Sequence, residues 1–375
     1  YYDNPAFRSY FEAINNMSDL RSVRFMRMWL KGFTRPVVFR FGTFDLVRGD
    51  WRRYNQPLNT AQITSSNTSV DVSTVNVLEN ENRIPINYKL PPGIVREQLN
   101  NFNSVIRQNE QSLSLRVQDL EPKDLKGVYK NIDVDMRQYK RIKMFIHAES
   151  LPNRTPLPGD GSLDDLDKRM VAFMRIGTDM TENYYQIEVP LQPTPYTEGV
   201  ANNLSAEEVW QPESNSIDVP LSLFTGAKAK SIQNRSLVGA TYFDEDLNQI
   251  DEFTPISSLP GDKKYKIAVR GNPTLGQVRT LMVGVKNPSE SPGDYLHGEV
   301  WFNELRLAEI DSEGGWASVA ELDTNIADFA TINLNGNIST VGFGNIDQIP
   351  NLRNQDDTKG YGMNTCLLYT SDAAD

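Results

Sequence analysis

The sequence predicts a mainly β protein: a jelly-roll-like antiparallel β-sandwich with part of a second sandwich before it, followed by the first strand or strands of a membrane β-barrel. Three observations carry this prediction. Short runs of alternating polar and apolar residues recur along the chain, and this period of two is typical of half-buried strands. Proline and glycine separate the runs, as turns require. After about residue 315 the polar residues between apolar ones become small and uncharged, which is typical of a membrane strand.

The individual elements follow from the same patterns. Predicted strands lie at residues 37–46, 112–117, 141–146, 171–176, 184–189, 265–269, 281–285 and 300–307. Long connections between them favour a jelly roll, because its strands leave one sheet and return through distant connections. Clean helical periodicity is scarce, with short exceptions at residues 4–16 and 206–210. The proline- and glycine-rich residues 152–167 predict a long polar loop.

A pattern in residues 23–46 recurs at residues 278–307. The spacing is too long for a solenoid, whose repeats span roughly 20–50 residues, so the echo indicates either a duplicated domain or a chance similarity between strands. The predicted domains are therefore the C-terminal part of an upstream β-sandwich at 1–58, a jelly-roll-like β-sandwich at 70–312, and the start of membrane β-barrel strands at 316–350.

The membrane prediction depends on residues 328–339, where Ala330, Ile332, Leu334, Gly336 and Ile338 alternate with Thr331, Asn333, Asn335, Asn337 and Ser339. A spanning strand needs about 9–11 residues, with apolar side chains toward lipid and polar ones toward a wet lumen. A lone strand cannot lie in lipid, because its backbone groups would be unpaired. The alternative is an edge strand of a soluble sheet, which this segment taken alone favours.

Composition restricts the function further. The chain of 375 residues is 39% hydrophobic with a formal net charge of −11, so it is not typical of disorder. The negative charge disfavours direct binding to nucleic acid or to an anionic membrane surface. The sequence contains no apolar run of about 18 residues, the length that a transmembrane helix needs.

Both ends suggest an internal fragment. The chain begins at Tyr1 without an initiator methionine or signal peptide. Residues 366–375 resemble one translated frame of a common sequencing adapter and are predicted to be an artefact. The only cysteine, Cys366, lies inside them. The remaining chain would have no disulfide, thiolate nucleophile or cysteine-ligated metal.

No candidate catalytic or cofactor site stands out, and we expect that the protein is not an enzyme. His147 and His297 lie far apart in sequence without carboxylate neighbours at metal-site spacing, so each is expected to be an ordinary strand residue. The one weak metal candidate is an acidic loop that contains Asp160, Asp164, Asp165 and Asp167. Its oxygens suit calcium, but the EF-hand order is absent, and a solvated loop is the favoured interpretation.

Other polar and aromatic groups have a structural interpretation beside a functional one. The pairs Asp133/Asp135 and Asp244/Asp246 could serve glycoside hydrolysis, but such pairs arise by chance among 49 acidic residues. Five tryptophans (Trp29, Trp51, Trp210, Trp301 and Trp316) could stack on sugars, although packing inside sheets is favoured. Four glycines (Gly42, Gly49, Gly177 and Gly284) are expected at bulges or turns.

Several strings resemble one known family. They lie at residues 48–54, 141–149, 175–179, 182–187, 299–307 and 315–317. Together and in this order they are similar to the SprA/Sov family, the outer-membrane translocons of the Bacteroidota type IX secretion system. The resemblance covers about residues 17–345, and only the combination and order of the strings is specific.

This resemblance implies a large β-barrel in the cell outer membrane, with long non-barrel insertions that lie mostly outside the lipid. It implies passage of folded cargo that carries a C-terminal targeting domain, and support of gliding motility. The implied partners are a small outer-membrane barrel protein and a plug protein. The alternative function is a carbohydrate-binding jelly-roll module of a secreted surface protein, and a third is a jelly-roll glycoside hydrolase.

Overall fold

The computed structural model describes residues 32–38, 50–58, 68–96, 98–101, 104–107, 109–151, 170–197, 200–233, 239–311, 313–327, 329–348 and 352–368. The chain divides into two compact units, residues 1–48 and 49–375. Every strand and helix named below belongs to the second unit.

The described residues form eighteen strands and three α-helices. The strands are β1 (Arg52–Arg53), β2 (Ser69–Asn76), β3 (Gln98–Asn101), β4 (Ser104–Arg107), β5 (Gln111–Leu120), β6 (Leu125–Val134), β7 (Tyr139–Glu149), β8 (Val171–Gly177), β9 (Tyr184–Pro190), β10 (Ile217–Pro220), β11 (Thr241–Phe243), β12 (Gln249–Ile250), β13 (Lys266–Arg270), β14 (Val278–Lys286), β15 (Leu296–Ile310), β16 (Ala317–Ile326), β17 (Ala330–Ser339) and β18 (Thr358–Leu367). The helices are α1 (Ala206–Trp210), α2 (Pro212–Asn215) and α3 (Leu221–Gln233).

Two open antiparallel sheets form a sandwich. The large sheet has the order β1-β6-β14-β8-β9-β13-β11-β12, and the small sheet has the order β10-β7-β15-β5-β2. Among the described strands, the chain crosses from one sheet to the other between β1 and β2, β5 and β6, β6 and β7, β7 and β8, β9 and β10, β10 and β11, and β14 and β15. Many neighbouring strands are thus distant in sequence, such as β14 beside β6 and β15 beside β5, and this arrangement confirms the predicted jelly-roll-like β-sandwich within a mainly β fold.

The core lies between the two sheets. Alternate side chains of the small sheet, such as Leu115 and Ile146, meet those of the large sheet, such as Met174, Ile187 and Val283, and all five are at most 1% exposed. Burying each such side chain contributes about 1.5–3 kcal/mol. The period-two pattern that predicted the strands is therefore the pattern that fills this core.

The structure confirms the predicted strands at 112–117, 141–146, 171–176, 184–189, 265–269, 281–285 and 300–307, and the helix at 206–210. Ser205 caps that helix: its side chain accepts from the Glu208 amide, and the Glu208 side chain accepts from the Ser205 amide. The predicted helix at 4–16 lies outside the described residues, and so do most of the segment 23–46 and most of the predicted strand at 37–46.

The sequence pattern did not predict α3, which runs for 13 residues. Its buried side chains are Leu221, Phe224, Ala227 and Ser231, which lie on one face at intervals of three to four residues. Small and polar residues make the apolar stripe of this helix weak. Gly226 also lowers its intrinsic stability, since glycine is a poor helix former. Packing against β13, β7 and β10 holds the helix instead.

Gly284 was expected at a bulge or turn and instead lies within the regular part of β14. It pairs with Gly127 of β6 and Phe173 of β8. A Cβ at this position would lie 2.2 Å from the Lys126 carbonyl oxygen. Close approach of neighbouring backbone, rather than a turn, is therefore what requires glycine here. Gly177 does precede a turn, and Gly42 and Gly49 lie outside the described residues.

The predicted domain boundaries 1–58, 70–312 and 316–350 stay predictions. β1 lies inside the predicted upstream segment and pairs with β6 of the large sheet. The expected artefact at 366–375 also stays a prediction. Its first two residues, Cys366 and Leu367, end strand β18, and residues 369–375 lie outside the described residues.

Candidate functional site

The candidate functional site is a three-stranded antiparallel sheet formed by β16, β17 and β18, with β17 in the centre. Each strand is ten residues long. The register is continuous: Leu334 lies opposite Leu322 on one side and opposite Met363 on the other. Ten residues match the length of about 9–11 residues that a tilted membrane strand needs.

The two faces of this sheet differ in chemistry. Residues directly opposite one another point to the same face, so the register assigns every side chain. The apolar face carries Ser318, Ala320, Leu322, Thr324, Ile326, Ala330, Ile332, Leu334, Gly336, Ile338, Lys359, Tyr361, Met363, Thr365 and Leu367. The polar face carries Ala317, Val319, Glu321, Asp323, Asn325, Thr331, Asn333, Asn335, Asn337, Ser339, Thr358, Gly360, Gly362, Asn364 and Cys366.

The apolar face has little cover from the described residues. Leu322 is 56% exposed, Met363 71% and Tyr361 96%, whereas Ala330 is the one residue of β17 that is buried. A contiguous apolar surface of this kind marks a site of contact with another protein or with a membrane. Among the described residues this sheet therefore forms no second core, and its apolar face is open to contact.

The structure corrects the interpretation of residues 328–339 as an edge strand. β17 begins at Ala330, is central, and is paired along its full length on both sides; Asp328 lies outside the described residues. The third strand, β18, extends beyond the predicted segment 316–350. Sequence reasoning missed it because glycines interrupt its alternation, although Tyr361, Met363 and Leu367 repeat at even spacing.

The three-stranded sheet is attached to the turn between β6 and β7. The Asp311 amide donates to the Gln138 carbonyl at 2.6 Å. Arg137 contacts Asp356, which precedes β18, with 2.7 Å between Nη1 and Oδ1. The same guanidinium also pairs with Asp135, at 2.8 Å. Asp135, one of the carboxylates considered for catalysis, thus holds a surface arginine.

The aromatic residues considered for sugar stacking lie mostly inside the protein. Trp210 and Trp301 are fully buried and pack with Tyr88, whose ring centroid lies 5.7 Å from that of Trp301. Trp51 is half-buried, Trp316 is 57% exposed, and Trp29 lies outside the described residues. Trp210 and Trp301 therefore pack in the second apolar cluster of the sandwich, on the outer side of the small sheet.

Beside these aromatics lies a buried ionic cluster that the sequence did not predict. Arg83 reaches Glu149 and Glu299, with 3.0 Å from Nη1 to Glu149 Oε2 and 3.0 Å from Nη2 to Glu299 Oε2. Burial alone would raise the pKa of Glu299, but the charge of Arg83 and hydrogen bonds from Trp301 and Ser114 outweigh it and hold that pKa below its ordinary value.

A second buried ionic cluster lies on the outer side of the large sheet. Lys286 is 0% exposed and contacts Glu188 at 2.9 Å and Glu252 at 3.2 Å. Lys266 lies 3.8 Å from Glu188. Burial would raise the pKa of Glu188, yet the two lysines lower it below its ordinary value. The signal that could have found this cluster is the placement of charged residues at the ends of strongly apolar strands.

The two histidines lie on strands and have ordinary polar neighbours. His147 Nδ1 lies 2.6 Å from the Val209 carbonyl oxygen, and His297 Nδ1 accepts from the Asp119 amide at 3.0 Å. His147 Nε2 faces Glu149 Oε2 at 3.5 Å, beyond good hydrogen-bond distance. The whole His147 side chain is buried, so the arrangement gives no access to a substrate.

The remaining predicted site residues have structural roles or lie outside the described residues. Asp244 Oδ1 accepts from the amides of Asp246 and Asn248, at 2.9 and 2.8 Å, and so closes a turn. The acidic loop with Asp160, Asp164, Asp165 and Asp167 lies outside the described residues. Within the described ranges, histidine, cysteine and carboxylate side chains form no group of three or more that could hold a metal ion.

Among the described helices, none has both the length and the apolarity to cross a membrane. A comparison with curated proteins gave no match. A comparison with protein families gave one whose model, described as "motility related/secretion protein", matches residues 7–371. The match covers nearly the whole chain, which therefore belongs to the SprA_N family of motility-related and secretion proteins.

Proposed function

We propose that this chain is part of the protein-conducting outer-membrane translocon of the type IX secretion system. In this proposal the β16–β18 sheet supplies the first strands of a membrane barrel, and the sandwich lies outside the lipid. The role is structural and transport-related, without covalent chemistry, and it supports secretion of folded cargo and gliding motility.

The observation that carries the proposal is the exposed apolar face of the three-stranded sheet. Exposing Leu322, Leu334 and Met363 to water is unfavourable, and their transfer from water to lipid is favourable. The polar face, with its row of asparagines on β17, suits a water-filled lumen. Lipid also requires every backbone group to be paired, so the proposal needs further strands at the open edges of β16 and β18.

The proposed partners follow from the same arrangement. Cargo with a C-terminal targeting domain would pass along the polar face, and a small outer-membrane barrel protein and a plug protein would contact the barrel or the sandwich. Nucleic acid is not a proposed partner, because the chain has a formal net charge of −11.

The first experiment recovers the complete gene and fractionates its tagged product, with and without deletion of residues 70–310. The proposal expects an outer-membrane product and loss of cargo secretion after the deletion. A soluble, secreted product that binds polysaccharide would instead establish the alternative function, a carbohydrate-binding jelly-roll module of a surface protein.

A second experiment tests the orientation of the sheet with two neighbouring positions replaced by cysteine, one at a time, in a cysteine-free background of the complete protein. Leu334→Cys lies on the apolar face and Asn335→Cys on the polar face. In outer-membrane vesicles, a water-soluble maleimide is expected to label Asn335→Cys and to leave Leu334→Cys unlabelled until detergent is added. Equal labelling of both cysteines in intact vesicles contradicts the membrane assignment of this sheet.

A further inference from the structure

A cavity of about 710 Å³ lies on the large-sheet side of the sandwich, away from the three-stranded sheet. The loop between β12 and β13, the start of α2, the end of β9 and the loop after β14 line it. Its volume falls within the roughly 300–1,000 Å³ that is typical of small-ligand sites. The cavity takes no part in the proposed membrane contact.

Three lysines line this cavity, and two of them already have carboxylate partners. Lys263 pairs with Asp246. Lys266 faces Glu188 and donates to the carbonyl oxygens of Glu252 and Thr254, at 2.6 and 3.0 Å. The ammonium group of the third, Lys264, contacts only neutral acceptors at close range among the described residues, while the backbone amide of Lys264 donates to the Glu245 carboxylate at 2.5 Å.

The contacts of the Lys264 ammonium group are long, and the residue is partly buried. Its Nζ lies 3.3 Å from the Pro212 carbonyl oxygen and 3.3 Å from Ser216 Oγ. Burial lowers the pKa of Lys264 to about 8, and the more distant carboxylates of Asp218, Glu245 and Glu213 offset this only in part. A partly buried cation without an anion in contact with it carries a desolvation cost, and a carboxylate placed in the cavity would reduce that cost.

The rest of the lining indicates what else the ligand carries. Hydroxyl groups of Ser214, Ser257 and Ser289 offer hydrogen bonds, and prolines and Ile256 offer apolar contacts. Acidic residues, among them Glu213 and Asp262, also line the cavity. These carboxylates repel a ligand with several negative charges, so a single negative charge fits the lining best.

We propose that this cavity, named here the Lys264 pocket, binds a small polar monocarboxylate whose carboxylate pairs with the Lys264 ammonium group. A sugar acid and the terminal carboxylate of a peptide share this chemistry. The proposal is independent of the membrane role of the three-stranded sheet.

Isothermal titration calorimetry on the full chain tests the proposal with four probes. Glucuronate is compared with the neutral methyl glucoside, and N-acetylalanine with N-acetylalanine amide. At least one acid is expected to bind and its neutral analogue not to bind, and the acid that binds identifies the source of the carboxylate. The proposal is wrong if neither acid binds at a concentration of about 10 mM, which is tenfold above a dissociation constant of about 1 mM. It is also wrong if each neutral analogue binds as well as its acid.

Three variants locate the contact. Lys264→Met is expected to weaken acid binding by about tenfold or more, because a charge-assisted hydrogen bond is lost, and Lys264→Arg to retain most of it. Lys228→Met, on α3 and outside the lining, is the matched control and is expected to bind as the unaltered chain does. Equal affinity of Lys264→Met and the unaltered chain overturns the assignment.

Proton linkage gives a measurement that a merely structural role for Lys264 does not affect. A bound carboxylate favours the charged lysine, so binding near pH 8 takes up protons and the affinity falls by about tenfold from pH 7 to pH 9. Titrations in two buffers with different ionisation enthalpies measure the uptake. Binding without proton uptake near pH 8 means that the acid does not sit on Lys264.

Discussion

Replacing Arg83 by leucine removes the cation that two buried carboxylates share. The Arg83 side chain is 13% exposed, and those of Glu149 and Glu299 are 0% and 5% exposed. Removing one partner of a buried ion pair costs about 3–5 kcal/mol, because it leaves uncompensated charge inside the protein. We expect Arg83→Leu to lower the free energy of unfolding by an amount in this range at pH 7.

The effect of pH on this variant has a definite sign. In the unaltered chain the pKa of Glu299 is below its ordinary value of 4.5, so its contribution to stability is present above pH 4.5 and is lost as the pH falls through the folded-state value. Without Arg83 the strongest influence that lowers this pKa is lost, so Glu299 takes up a proton at a higher pH in the variant, and its protonation removes the uncompensated charge. The stability difference between the two chains should therefore shrink between pH 7 and pH 4.5.

Arg116 provides a matched control, because it contacts the same carboxylate from the surface. Its Nη2 lies 2.9 Å from Glu299 Oε2, but its side chain is 44% exposed. Arg116→Leu should cost only about 0–1 kcal/mol. Urea unfolding followed by tryptophan fluorescence suits both variants, since the Arg83 guanidinium carbon lies 5.1 Å from the Trp301 ring centroid. Equal, small losses in the two variants would refute the assignment of Arg83 as the shared buried cation.

Three further predictions follow from close packing and from the second ionic cluster. Gly284→Ala should cost about 1–3 kcal/mol through overpacking, whereas Gly336→Ala, with no atom within 4 Å of the new Cβ, should be near neutral; equal effects in urea unfolding would contradict the packing argument. Lys286→Met should lower the free energy of unfolding by about 3–5 kcal/mol. Adding Glu188→Gln to this variant should restore much of the lost stability in a double-mutant cycle. If it restores none, the loss does not come from the contact between Lys286 and Glu188. Unaltered chain should lose stability as the pH falls below about 4, because the folded-state pKa values of Glu188 and Glu299 are lowered; unchanged unfolding free energy between pH 7 and pH 3 would exclude this linkage.

The fold class could be predicted from the sequence because the strands of this chain follow a local alternation of polar and apolar residues. The alternation of residues 112–117 and 171–176 reappears as strands β5 and β8 with side chains in the core. It failed at α3, whose apolar face is weak in isolation and is held by contacts with β7, β10 and β13. It also misplaced Gly284, since the need for glycine arises from the carbonyl of Lys126, more than 150 positions earlier in the chain.

The sequence by itself determined that the chain is mainly β, that residues 330–339 alternate as a membrane strand does, and that no strong catalytic motif is present. Only the tertiary structure decided that β17 is central and fully paired, that Lys286 meets Glu188, and that the ammonium group of Lys264, which lines a cavity, contacts neutral acceptors. The physical reason is the sequence separation over which each interaction acts. Period-two alternation is set by the geometry of one strand, whereas the pairing of strands and buried charges depends on residues that come together only when the two sheets close on their core.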